Sequence, residues 1–187
     1  MTGASVSAVR TEKAWSITRI TLLIVLLLST GVTQAQSAEQ QIKAAFLYHF
    51  CSYVQWPERD PSINHAHVTV GVAGTSKAIR LVRETLEGRS NKKCVFHVRT
   101  IKPGDDLSDV QMLYIAQKSR FTLEDFLEPP NTPPILTITD GEPLSNNSMI
   151  NFVIRDDHVR FVISKSRANQ AGLKLSSELL AVALQVN

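Results

Sequence analysis

Five histidines, two cysteines and one glycine-flanked turn are the residues of this 187-residue chain whose types and spacing could support chemistry. His65 and His67 form an H-x-H pair, which on a strand points both imidazoles to one side, a usable metal dyad. No third or fourth ligand stands nearby, because His49, His97 and His158 belong to three other segments. Surface histidines at a strand entrance are the better reading of the pair. Ser176-Ser177-Glu178 offers two hydroxyls and a carboxylate, but helix capping accounts for all three. A G-x-S-x-G elbow is absent, and Asp105-Asp106 and Asp156-Asp157 both sit in polar turns rather than as an acid/base pair. The reading is a non-enzymatic protein with no catalytic residues, no metal set and no cofactor.

The glycine turn is Gly71-Val72-Ala73-Gly74-Thr75-Ser76-Lys77. A glycine turn opening onto a helix N-terminus can cradle an anion. This one matches neither G-x-G-x-x-G nor G-x-x-x-x-G-K-[ST]. A structural turn is therefore the preferred reading, with Gly71, Gly74 and Ser76 as the candidates for a small-anion or ligand turn in the alternative.

The elements around these residues follow from periodicity. A helix is predicted from about Glu39 to Gln55, with Ile42, Ala45, Phe46, His49, Phe50 and Tyr53 on one stripe and Trp56-Pro57 ending it. His67 to Ala73 reads as a buried strand, Ser76 to Glu87 as a helix closing at Gly88, and Cys94 to Arg99 as a second strand. Met112 to Ala116 is a third strand, Thr122 to Leu127 a short helix, and Ile135 to Thr139 a fourth strand. The run from Pro129 to Pro134 reads as a rigid surface loop. Met149 to Arg155 and His158 to Ser164, joined by Asp156-Asp157, form a β-hairpin. Ser176 is placed to cap a closing helix from Glu178 to Val186. Strands alternating with helices imply parallel β-α-β units, so the expected fold is α/β. It is a single-domain sandwich with a mixed, mostly parallel sheet, helices on both faces, and a C-terminal hairpin plus helices.

Residues 1–35 read as a leader rather than as part of that domain. Arg10, Lys13 and Arg19 precede an apolar core from Ile20 to Leu28, and Thr33-Gln34-Ala35 offers a small-x-Ala cleavage site, with Gln36-Ser37-Ala38 as the alternative. This is the anatomy of a signal peptide cut near Ala35 or Ala38, which leaves a domain of residues 36–187. An uncleaved anchor is the alternative, but the apolar core is short against the roughly 20 residues of a bilayer span. The leader holds three basic residues and one acidic, Glu12, of the chain's 20 and 17; what remains is 17 against 16, a net +1. Lys92-Lys93 is a pair in a turn, and no block of Lys or Arg tracks a phosphate backbone, which excludes nucleic acid as partner.

Export permits a disulfide, and Cys51 and Cys94 can form only one internal pair. A bridge would close a loop of about 44 residues and contribute about 3–4 kcal/mol in the chain-entropy picture. It needs Cα atoms within about 7 Å. Two buried, unbridged thiols packing as small hydrophobes are the alternative. The closing segment is more apolar than one core-facing stripe requires. Phe161, Leu175, Leu180 and Leu184 are accordingly candidates for a partner surface, in competition with burial against the sheet.

Two stretches are also familiar as wording. Ile42-Lys43-Ala44-Ala45-Phe46-Leu47-Tyr48 with Trp56-Pro57, and the segment Met149 to Phe152 followed by Val159-Arg160-Phe161 and Gly172 to Leu180, resemble the opening and closing signatures of the YfiR-like family of periplasmic proteins. The resemblance brackets about 145 residues. It implies a periplasmic repressor that binds the periplasmic domain of an inner-membrane signalling protein, a diguanylate cyclase or a kinase, and lowers cyclic-di-GMP output without touching the nucleotide. A homodimer is compatible with it, and a periplasmic small-ligand sensor and an exported enzyme or redox protein using Cys51 are the alternative functions left open. Many members of the family carry a cysteine pair at positions matching approximately Thr69 and Val110, and neither is cysteine here. Any redox role of that pair does not carry over.

Overall fold

The parallel strands begin where valine, isoleucine and phenylalanine concentrate, and their order follows from handedness. The structure, a computed structural model, describes residues 38–57, 67–91, 94–127, 134–141, 145 and 147–187. The leader, His65, Lys92-Lys93 and the prolines from Pro129 to Pro133 lie outside the described residues. After helix α1 (38–53), the chain forms β1 (Val54–Gln55), β2 (His67–Ala73), α2 (Ser76–Leu86), β3 (Val95–Thr100) and β4 (Val110–Ile115). There follow β5 (Leu136–Asp140), β6 (Ile150–Arg155), β7 (His158–Ile163), α3 (Lys165–Gln170), β8 (Lys174–Leu175), α4 (Ser177–Val182) and β9 (Gln185–Val186).

Seven strands form one mixed sheet in the order β3-β2-β4-β5-β6-β7-β9. The first five are parallel, β7 returns antiparallel to β6, and β9 lies parallel to β7. Asp156 and Asp157 take positive φ, as the two central residues of a tight hairpin turn require. β1 and β8 form a separate two-residue ladder, Val54 opposite Leu175. Thr69 and Val110 are register partners across β2 and β4.

Parallel crossovers are right-handed, so a chain that steps first to one side of β2 and then to the other must cover opposite faces. All four helices accordingly contribute to one core, built from Leu47, Phe50, Val82, Phe96, Tyr114, Phe152, Phe161 and Leu179 among others. The second face is closed by connections instead: Ile101 and Leu107 before β4, and Phe121, Leu123, Phe126 and Leu127 after it. The helix expected over Thr122 to Leu127 is a turn, held by Thr122 donating to the Asp125 carboxylate and Leu127 N–H to Leu123 O. That local Asp125 acceptor competes with helical hydrogen bonding.

Two other expectations shift. The buried stripe of α1 is Lys43, Ala44, Leu47, Phe50 and Cys51, while Ile42, Ala45, His49 and Tyr53 face outward. The closing helix ends at Val182 rather than Val186, because the chain turns extended at Ala183 and gives its backbone to β7. Leu184 N–H bonds Phe161 O at 2.9 Å and Asn187 N–H bonds Ile163 O at 2.8 Å. An apolar run of this length fits either period, and the unpaired edge of β7 decides between them.

The opposite edge is plugged. Gly88 N–H and Arg89 O bond Phe96 from outside, and the Glu87 carboxylate takes Val98 N–H at 2.8 Å and His97 Nδ1 at 2.8 Å. The Val98 N–H holds the Glu87 carboxyl below its ordinary range, aided by His97. Its contribution is therefore present above the unfolded value and lost as pH falls through the lowered one.

Near the amino end of β3 the structure pairs Cys51 of α1 with Cys94, Cα atoms 6.6 Å apart. Asn91 braces the same corner, donating to Tyr48 O and Ser52 Oγ and accepting from Cys94 N–H. Thiol counting in denaturant should find no reactive cysteine before reduction and two afterwards, and reduction should lower unfolding stability by about 2–4 kcal/mol. Two reactive thiols in unreduced protein would refute the bridge.

Candidate functional site

Two places stand out once the elements are assembled: a buried ion pair at the carboxyl end of β5, and an apolar edge at the end of the chain. Lys43 lies on the inward stripe of α1 and is 1% exposed. Its ammonium donates to Asp140 Oδ1 at 2.6 Å, and both side chains are all but removed from solvent. The other carboxylate oxygen of Asp140 accepts from Tyr114 OH at 3.1 Å and from Gln117 N–H at 3.3 Å. Asp140 is the last residue of β5, so its carboxylate emerges where the parallel strands end, and groups from α1, from β4 and from the turn after β4 converge on it.

A buried pair of this kind costs several kcal/mol of desolvation, repaid only when the geometry is good and the remaining lone pairs are satisfied. Here they are. The pair forms one wall of a cleft of about 360 Å³ that also includes Gln117, Gly141, Ile154 and Arg155. Gly141 turns the chain away at φ 113° and its carbonyl accepts from the Asn151 amide at 3.1 Å.

The second place is the segment after α4. Val182 is 64% exposed, Leu184 49% and Val186 41%, a stripe of alternate residues running off the helix and along β9. Of the candidates for a partner surface only Leu184 belongs to it. Phe161 is a correction: it is core, its ring in edge contact with Phe46 and Phe50, because β7 is an interior strand once β9 pairs with it. Leu175 and Leu180 are half-buried against the same core. Val182 and Val186 were missed because the run was read as one helix; period-two alternation was the available signal.

The glycine turn follows its structural reading and not the small-ligand alternative. Gly71 is an interior residue of β2, where a Cβ would come within 3.1 Å of Ile101. Gly74 faces Ala116, where a Cβ would sit 2.8 Å from the Ala116 methyl, and Ala116 N–H bonds Ala73 O at 2.8 Å. The glycines serve close packing between β2 and β4, and the crevice at this switch of strand order is filled. Ser76 opens onto a shallow groove with Arg80, Arg83 and Thr100 that includes neither glycine. Thr75, not Ser76, caps α2, its hydroxyl accepting from Ala78 N–H. Among the described residues no three His, Cys, Asp or Glu side chains are grouped to hold a metal ion. His49, His67, His97 and His158 are all exposed and far apart in the chain.

The ion pair makes a clear expectation. Lys43→Met strands a buried carboxylate and should cost about 3–5 kcal/mol in urea unfolding. Adding Asp140→Asn, whose amide oxygen still accepts from Tyr114 and Gln117, should recover most of the loss. A single variant within about 1 kcal/mol of wild type would show the pair to be incidental.

A sequence profile described as YfiR/HmsC-like matches residues 40–184, from the first helix through the exposed edge. The match contains both ends of the ion pair, both cysteines and the turn into β9. No curated protein sequence matches the chain. No helix among the described residues is long and apolar enough to cross a membrane. With a match over most of its length, the chain belongs to the YfiR/HmsC-like family, whose proteins are periplasmic and regulatory rather than catalytic.

Proposed function

We propose that the protein is an exported, periplasmic repressor that binds the periplasmic domain of a membrane-anchored diguanylate cyclase and holds it inactive, docking through the α4–β9 edge. The observation that carries this reading is the exposed apolar run Val182, Leu184 and Val186, from the end of α4 into the outer strand β9. Isolated surface leucines and valines are ordinary, but three at alternate positions between the end of α4 and the outer strand form a surface that another chain can cover. The required physics is modest. A repressor needs only a higher affinity for the inactive state of its partner than for the active one. A nucleotide-binding fingerprint is not needed, since the cyclic dinucleotide is made on the other side of the membrane.

Alanine in place of Leu184 should weaken binding to the purified periplasmic domain by at least roughly 30-fold, the equivalent of about 2 kcal/mol. Its effect on unfolding stability should stay within about 1 kcal/mol, whereas Leu179→Ala in the core should show the opposite balance. If every variant that loses binding also unfolds, the surface is merely core and the docking reading fails.

Export rests on the leader and is tested separately. Intact mass of protein recovered from a periplasmic extract should place the N-terminus at Gln36 or Glu39. Full-length protein confined to the cytosol would overturn it.

A further inference from the structure

The β9 margin of the sheet carries charge as well as apolar surface. From His158 to Asn187 the chain holds four basic residues, Arg160, Lys165, Arg167 and Lys174, against one acidic, Glu178, a net +3. Of the 17 basic and 16 acidic residues of the domain, that leaves 13 against 15 in residues 36–157, a net −2. The closing segment is a cationic end on a weakly anionic body.

Two of these cations bracket the apolar run. Leu184 N–H bonds Phe161 O, which places Arg160 one residue from the point where the tail meets β7. Lys165 N–H bonds Asn187 O, which places Lys165 at the far end of β9. From Leu184 to Asn187 is about 10 Å of extended chain, the reach of side chains two to four residues apart on a facing strand. Arg160 and Lys165 are both exposed. Among the described residues neither pairs with an Asp or Glu, whereas Arg80, His97 and Arg99 each do.

Register assigns the faces. Gln185 lies opposite Val162 and Val186 opposite Ile163. Side chains alternate along a strand, so Val186, with Leu184 two residues before it, lies on the face of the core residues Phe161 and Ile163. Gln185 shares the other face with Val162 and Arg160. The sheet order ends at β9. A strand laid beside it meets apolar side chains on one face and a cation on the other, with a second cation where the run ends. A second copy of this chain would bring the same positive margin against it, and like charges oppose that pairing. An acidic segment is attracted instead.

We propose that what covers the α4–β9 edge is an extended segment of the partner protein in which apolar residues alternate with acidic ones. Its apolar side chains cover Val182, Leu184 and Val186, and its carboxylates reach Arg160 and Lys165. Strand addition of this kind takes affinity from the apolar contacts and pairing, while the cations steer the approach and select the partner. The inference rests on the docking reading above and adds the chemistry of what docks.

The probe is a short fluorescein-labelled peptide of alternating valine and glutamate, titrated with the exported protein up to about 1 mM and read by anisotropy. Counterparts carry lysine for glutamate, or serine for valine. The valine–glutamate peptide should bind, and both counterparts should bind about 10-fold more weakly or worse. Reversing both cations, Arg160→Glu with Lys165→Glu, should weaken the glutamate peptide by about 10-fold or more and turn the preference toward the lysine peptide. An unfolded variant cannot show that exchange of preference. Lys77→Glu, an exposed charge on α2, should change nothing. Absent binding of the valine–glutamate peptide, equal binding of the lysine peptide, or a reversal variant that keeps the original preference would each overturn the proposal. Phosphatidylglycerol vesicles that sediment with the protein while that peptide stays unbound would assign the margin to a lipid surface instead. Against the purified periplasmic domain, loss of binding through Leu184→Ala but not through the double reversal sinks the acidic segment and leaves the docking reading standing. Loss through neither removes both.

Discussion

The ion pair between Lys43 and Asp140 is the constraint on which the rest of the molecule turns. A lysine on the inward stripe of a helix is tolerable only in one rotation about the helix axis and at one height along it. Shifting α1 by a single residue turns its stripe by about 100° and leaves an ammonium and a carboxylate unpaired in an apolar layer. Two turns further along, the same helix meets β3 at Cys51 and Cys94. The two attachments lie at opposite ends of the strands, one where β5 finishes and one where β3 begins. α1 is therefore laid diagonally across the sheet and fixed at both ends, and Phe46 and Phe50 pack between those points onto Phe152 and Phe161.

Handedness sorts the remaining material into two unlike layers. The β2–α2–β3 unit puts its helix on the face that α1 already occupies, and the return to β4 crosses beneath. Beneath the sheet no helix forms among the described residues, and short turns carrying Leu123, Phe126 and Ile101 close the smaller core. The unequal layers also explain why the open cleft lies where it does. Where the order of strands reverses, beside β2, Gly74 and Ala116 press together; one strand further on, the cleft beside Asp140 is lined by the end of β5 and by β6.

Much of this architecture was legible from the chain. Strand positions, the parallel units, the hairpin at Asp156-Asp157 and the cap at Ser176 follow from local patterns, and each reappears within a residue or two. What was not legible depends on partners distant in sequence. Lys43 looks like a polar interruption of α1 until Asp140, 97 residues on, is placed beside it, so the expected stripe shares Phe46 and Phe50 with the buried one but is rotated toward Ile42, Ala45 and Tyr53. Leu184 and Val186 look helical until the free edge of β7 is present to bond them. Gly71 and Gly74 read as a structural turn, but the neighbours that need the room, Ile101, Val110 and Ala116, are visible only in the fold. Propensity sets the menu in each case, and tertiary contact makes the choice.

The two margins of the sheet differ in a way that limits how the molecule can assemble. At β3 the outward backbone groups are consumed by Gly88, Arg89 and Glu87, so that side accepts no further strand there. At β9 the margin is short and apolar. A body with one closed and one open margin is a terminator. Joined through β9 to a different protein it gives a one-to-one complex, and joined to its own copy it gives a two-fold pair with both open margins used up. Neither product offers a fresh edge, so growth into fibres through this sheet stops at the first step.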